Sequence, residues 1–177
     1  APDALAHSHR LAEHIRTAIA AAGGWISFER YMDLALYAPG LGYYTAGARK
    51  LGAEGDFTTA PELTPLFGHT LAQQIAALIE AGLTDVLEIG PGTGALAASV
   101  LEELERMDRL PTTYQLLEVS PDLRERERDL IATRAPHLLE RVLWLNQLPP
   151  AFEGIVLGNE VLDAMPVHVA RVSAAGI

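Results

Sequence analysis

A short apolar segment followed at once by closely spaced glycines leaves the backbone few choices. Residues 85–94 read Asp-Val-Leu-Glu-Ile-Gly-Pro-Gly-Thr-Gly. Residues 85–89 have the length and apolar content of a buried strand, and 95–107 have the periodicity of a helix. Between them, Gly90, Gly92 and Gly94 permit positive φ and close approach of a ligand to the main chain. The first turn of the helix leaves N–H groups without partners, and these face whatever lies beside the turn. This strand–turn–helix unit belongs at the head of a doubly wound parallel sheet, whose ligands sit at the carboxyl ends of the strands.

The remainder of the chain supports that frame. A charged helix (121–135) follows a strand at 114–119, further strands are expected at 141–145 and 154–157, and a weaker fifth at 167–172. Alternation of this kind gives an α/β domain with a parallel sheet. Upstream, residues 2–22 predict a helix closed by Gly23-Gly24. Ser27 is placed to cap a second helix with Phe28, Met32 and Leu36 inward. Residues 38–61 hold too many Gly and Pro for regular structure, and 64–81 predict an amphipathic helix. The expected division is a helical and loop region, 1–63, packing over the ligand site, and a Rossmann-like domain from 64 to 177. The chain stops soon after the fourth strand, so the C-terminal strands of that domain are expected to be absent.

The turn alone admits two ligands. Gly90, Gly92 and Ala95 also satisfy the dinucleotide pattern G-x-G-x-x-G/A. A nucleoside-methionine cofactor has no phosphate, so 90–94, with Pro91 and Thr93 between the glycines, would pass beside its ribose and methionine portions. Two features favour this second ligand. Glu88 stands two residues before Gly90, where dinucleotide folds commonly carry an apolar residue, and it suits a methionine ammonium directly or through water. The turn also lies deep in the chain. Glu118 ends the second strand at the spacing of a ribose-binding acid, which both cofactors require. The charged run 122–129 reads as an exposed helix face.

Two further polar segments carry chemistry. Asn159 and Glu160 stand where the fourth strand leaves the sheet, and Asp163 follows one helical turn later, on the same face as Glu160. Such a carboxylate pair suits an amine or guanidinium nucleophile, and methyl transfer needs in-line positioning more than acid–base chemistry. The loop 52–61 offers Asp56, Thr58 and Thr59 as a lid over the cofactor, with packing as the plainer alternative; Thr64 is placed to cap the helix after it.

Composition narrows the partners. The net charge of −10 repels phosphate backbones, so nucleic acid is not expected. No apolar run approaches the roughly 20 residues of a membrane helix, and membrane association is not expected. No cysteine is present, which excludes disulfides and thiolate metal sites. His7, His9 and His14 lack a further ligand at zinc-site spacing, so no metal is expected. His7, His9, Arg10, Glu13 and His14 also interrupt any signal-peptide pattern.

Taken in order, Ser27-Phe28, Tyr31-Met32, 35–44, 55–62, 87–94 and 159–167 resemble one family. It is the MidA family, comprising the mitochondrial complex I assembly-factor arginine methyltransferases and their bacterial relatives. The resemblance implies a class I methyltransferase fold and S-adenosylmethionine as donor. For the mitochondrial members it implies symmetric dimethylation of an arginine on a complex I subunit. It assigns the motif glycines to Gly90, Gly92 and Gly94, the ribose acid to Glu118, the loop acid to Asp56 and the post-strand cluster to Asn159, Glu160 and Asp163. It also implies a protein partner, with a homo-oligomer admitted, and a cytoplasmic location in bacteria or a mitochondrial one in eukaryotes. A small-molecule methyltransferase, a non-catalytic cofactor-binding assembly factor and a nicotinamide oxidoreductase stand as alternatives.

Overall fold

The computed structural model describes residues 2–46 and 58–174. The chain divides into two compact units, 49–161 and 1–48 joined by 162–177.

The larger unit is built on four parallel strands: β1 (Asp85–Ile89), β2 (Thr113–Leu117), β3 (Val142–Leu145) and β4 (Ile155–Gly158), in spatial order β3-β2-β1-β4. The chain runs outward from β1 to β3 and then returns to the other side of β1. This reversal opens a crevice at the carboxyl ends of β1 and β4. Register places Val86 beside Tyr114 and Ile155, and Tyr114 beside Val142. All four are buried on one face of the sheet. The next residues of each strand point to the opposite face; there Leu87 is buried, whereas Leu143 and Val156 are exposed.

Helices α4 (Leu66–Glu80), α5 (Ala95–Arg106) and α6 (Pro121–Arg134) cover the buried face. Ala72, Ile75 and Ala76 of α4, Leu96 to Leu104 of α5 and Ile131 of α6 join Val86, Tyr114 and Leu116 in one core. Alanines along α5 let its neighbours approach closely, and alanine also favours the helix intrinsically. The α6 N-terminus matches its sequence: Ser120 accepts from the Leu123 N–H at 3.4 Å, Pro121 occupies the first turn and Asp122 complements the helix dipole. A four-residue helix, α3 (Ala60–Leu63), and a 3-10 turn, Pro136–Arg141, fall where the sequence suggested loop.

The smaller unit holds α1 (Pro2–Ala21) and α2 (Phe28–Tyr37). Ser27 caps α2 by accepting from the Arg30 N–H at 3.1 Å. His7 Nε2 lies 2.8 Å from the carbonyl of Leu41. Tyr37 stacks on Tyr44, Tyr43 meets Tyr44 edge-on, and the Tyr37 hydroxyl donates to the Ala164 carbonyl at 2.8 Å.

Several expectations need correction. Phe28, expected inward, is about half exposed. Leu66 and Leu78, placed on the apolar stripe of α4, are also exposed. Pro65, not Thr64, holds the α4 cap position, although Thr64 Oγ1 accepts from the Leu66 N–H at 3.3 Å. Residues 167–172 form no strand; Val167, Val169 and Val172 are exposed.

Candidate functional site

The glycine turn spends its conformational freedom at three positions: φ is 63° at Gly90, 62° at Gly92 and 83° at Gly94. In this left-handed region any side chain costs energy. The Gly90 N–H donates to the Leu117 carbonyl at 3.0 Å and extends the β1–β2 ladder past the end of β1. The Gly94 N–H closes the turn on the Pro91 carbonyl at 3.0 Å, and the Gly94 carbonyl accepts the first bond of α5, from Ala98. A Cβ at Gly90 would stand 3.2 Å from Val161 Cγ2, and one at Gly94 would stand 3.1 Å from Glu127 Cα. Packing and backbone conformation therefore both require glycine at 94.

Three buried carboxyls lie about this turn. Glu88 is 2% exposed, and its Oε2 accepts the Tyr114 hydroxyl at 2.6 Å. Burial pushes its pKa up to about 7, against the opposing effect of the Tyr114 bond. Glu118 leaves β2 nearly buried, and its Oε1 accepts from the Ser120 N–H at 2.7 Å. Burial raises its pKa too, while the Ser120 and Val119 N–H groups and the charge of Arg124 pull it back. Arg124 donates from Nε to the Glu118 carbonyl at 2.7 Å and from Nη2 to the Leu145 carbonyl at 2.9 Å, tying the ends of β2 and β3 together.

The third carboxyl is Glu127 of α6, which corrects the reading of 122–129 as an exposed face. Glu127 is fully buried, with the Trp144 indole N–H donating to its Oε2 at 2.8 Å. Burial raises its pKa to about 8, and the charges of Glu118 and Glu88 add to that rise. Helical periodicity hid it, because charged residues surround it in sequence.

On the other side of β1, Asn159 is half-buried and Glu160 is exposed at the end of β4. Glu160 has φ 54°, a left-handed conformation rare for a side-chain-bearing residue and often stored at functional sites. No helical turn therefore runs from Glu160 to Asp163, and the expected shared helical face is absent. Asp163 is exposed in the 3-10 turn Leu162–Ala164 of the smaller unit.

Of the loop candidates, Asp56 lies outside the described residues. Thr58 is exposed, and Thr59 takes the N-cap position of α3 without a side-chain cap bond. Glu62 is the residue of this segment that reaches the turn: its carboxylate accepts the Thr93 hydroxyl. The Pro-Glu ending of the motif 55–62 was the available signal for it. Thr93 of the turn lines, with Glu62, Ser99, Arg126, Leu130 and Arg134, a cleft of about 550 Å³ beside the start of α5.

A family model for S-adenosyl-L-methionine-dependent methyltransferases matches residues 66–177. The chain belongs to this family. Among solved structures, this chain superposes on a COG1565 superfamily member from Burkholderia thailandensis, crystallised with S-adenosyl-homocysteine bound. The TM-score is 0.88 at 51% identity, over 94% of this chain and 44% of that one. A native structure from the same superfamily and organism gives 0.84 at 48% identity, over 99% of this chain and 45% of that one. Relatives in sequence include the mitochondrial protein arginine methyltransferase NDUFAF7 homolog of Caenorhabditis elegans, 30% identical over 82% of this chain and 39% of that protein. The Danio rerio NDUFAF7 is 29% identical over 88% of this chain and 42% of that protein. The chain thus spans about two fifths of the length of the curated relatives it matches.

The residues at the crevice fit the family's cofactor. The glycine turn presents main chain rather than side chains to a ligand, and the nearly buried Glu118 carboxyl at the end of β2 can accept from hydroxyl groups.

Proposed function

We propose that this chain is the donor-binding part of a protein-arginine N-methyltransferase. What carries the reading is the glycine turn at the sheet reversal, with Glu118 at the end of β2 and Asn159–Glu160 at the end of β4. When bound, S-adenosylmethionine supplies an electrophilic methyl group on its sulfonium. Gly90, Pro91, Gly92, Thr93 and Gly94 line the path of its ribose and methionine portions. Glu118 accepts the ribose hydroxyls through the oxygen that Ser120 leaves available. Glu88, nearly sealed from solvent, serves the methionine ammonium through water and the turn itself. Thr58 and Thr59 complete the donor side as a lid.

On the acceptor side, Glu160 holds a cationic nitrogen nucleophile, with Asn159 fixing its orientation. A carboxylate localises guanidinium charge on the bonded nitrogens and leaves the reacting nitrogen free to approach in line. An arginine of a protein as the acceptor is favoured by the names of the NDUFAF7 relatives. A respiratory complex I subunit as that protein, and a mitochondrial or bacterial cytoplasmic setting, rest on the family resemblance.

The test is transfer of a labelled methyl group from S-adenosylmethionine to proteins and, in parallel, to small amines, with the product read by mass spectrometry. Symmetric dimethylarginine that disappears with Glu160→Gln supports the reading. Label confined to small molecules would replace the protein acceptor. Donor binding without transfer to any acceptor would point to a non-catalytic assembly factor.

A further inference from the structure

Glu127 is the group that the proposed chemistry does not use and the fold treats as costly. It is fully buried, on a helix whose other carboxylates reach solvent. Its Cα and Cβ lie where a side chain at Gly94 would go, 3.1 and 3.3 Å from the position of that Cβ. Oε2 takes the indole N–H of Trp144 from β3 at 2.8 Å, and Trp144 in turn lies under the Arg128 guanidinium at 4.6 Å. Oε1 is sealed from solvent and has no hydrogen-bond partner among the described residues. A buried polar atom without a partner is rare enough to need a reason.

We propose that Glu127 is a positioning residue of the donor site, a carboxyl that braces the back of the glycine turn at Gly94 and ties it to the β3 wall through Trp144. It touches neither donor nor acceptor. Its effect on binding passes through the turn and through Glu118, the acid whose charge acts on it most.

Its protonation state follows from its surroundings. The groups that bear on it are Glu118 at the end of β2, Glu88 on β1 and Arg124 on its own helix, with the Trp144 N–H from β3. Two acids and one guanidinium leave the balance negative, and no solvent reaches Oε1 to screen a charge. The carboxyl therefore keeps its proton at neutral pH and gives it up near pH 8. A ribose that covers Glu118 strips water from that acid, whose charge then bears harder on an ionised Glu127 than in the free protein. Proton loss there opposes cofactor binding, so affinity falls by at most about tenfold per pH unit above that point.

The experiment titrates S-adenosyl-homocysteine into the full-length protein by calorimetry between pH 6.5 and 9.5. Wild type, Glu127→Gln and Glu127→Ala are compared, and each fold is checked by circular dichroism. Gln copies the protonated carboxyl and cannot ionise. Wild type is expected to lose affinity above pH 8, and Gln to remove most of that loss. Ala is expected to weaken binding about tenfold at pH 7, with Gln restoring it to within about threefold. A Gln variant that keeps the wild-type pH profile would overturn the proposal, as would a folded Ala variant with wild-type affinity. If Ala fails to fold, the Gln profile decides alone. Absence of binding by wild type at every pH would instead remove the donor-site reading itself.

Discussion

The Glu62 carboxylate accepts the hydroxyl of Thr93, a residue 31 positions further along the chain and inside the glycine turn. This bond ties α3 to the start of α5, where a negative charge also meets the positive end of the helix dipole. Thr93→Val and Glu62→Ala are each expected to cost about 1 kcal/mol of unfolding free energy. The double variant should cost less than the sum, by about 1 kcal/mol of coupling. Urea titration of the four proteins checks this; strict additivity would mean that the two side chains do not act as a pair.

Gly94 and Gly90 separate two costs of adding a methyl group. At Gly94 the φ of 83° combines with backbone of Glu127 only 3.1 Å from the new Cβ, and neither can give way easily. Gly94→Ala is therefore expected to cost about 3 kcal/mol. At Gly90 the neighbour is the end of the Val161 side chain, 3.2 Å away, which can rotate. Gly90→Ala should cost about 1 kcal/mol, mostly from its φ. Chemical denaturation midpoints measure both, and equal losses would refute the packing distinction.

Burial makes Glu88 a pH-dependent liability to stability. Its folded pKa, about 7, lies above the value of 4.5 expected for the unfolded chain. The folded state thus holds a proton that the unfolded state releases. This contribution to stability is full below pH 4.5, declines as pH rises toward 7 and levels off above it. The total decline is on the order of 3 kcal/mol. Glu88→Gln, which keeps an acceptor for Tyr114, should flatten this part of the curve. Denaturation of both proteins from pH 5 to pH 8 is the check, and parallel curves would contradict the assignment.

The readable parts of the sequence were those where local pattern and tertiary demand coincide. β1 emerged with its expected bounds because a five-residue run ending in Gly90 is too short for a helix and is cut off by the glycine turn. α6 was marked by Ser120, Pro121 and its charges, yet those charges concealed Glu127. A buried acid in a charged helix leaves no periodic trace, since its neutralisation comes from β1, β2 and β3. Alternating valines at 167–172 imitate a strand, but pairing needs a partner, and none is present among the described residues. Glu160 was located correctly at the end of β4, whereas its left-handed backbone, which breaks the helical link to Asp163, has no counterpart in residue type. Glu62 lay inside a recognised motif, but its contact with Thr93 depends on where α3 packs.

The most direct measurement is the affinity of the protein for S-adenosyl-homocysteine, with NAD as the competing cofactor and Glu118→Ala as the control variant. The expected result is binding of the thioether nucleoside, no binding of NAD, and a loss of about tenfold or more on removing the ribose carboxylate. Preference for NAD, or wild-type affinity in the Glu118 variant, would contradict the placement of the donor across the glycine turn.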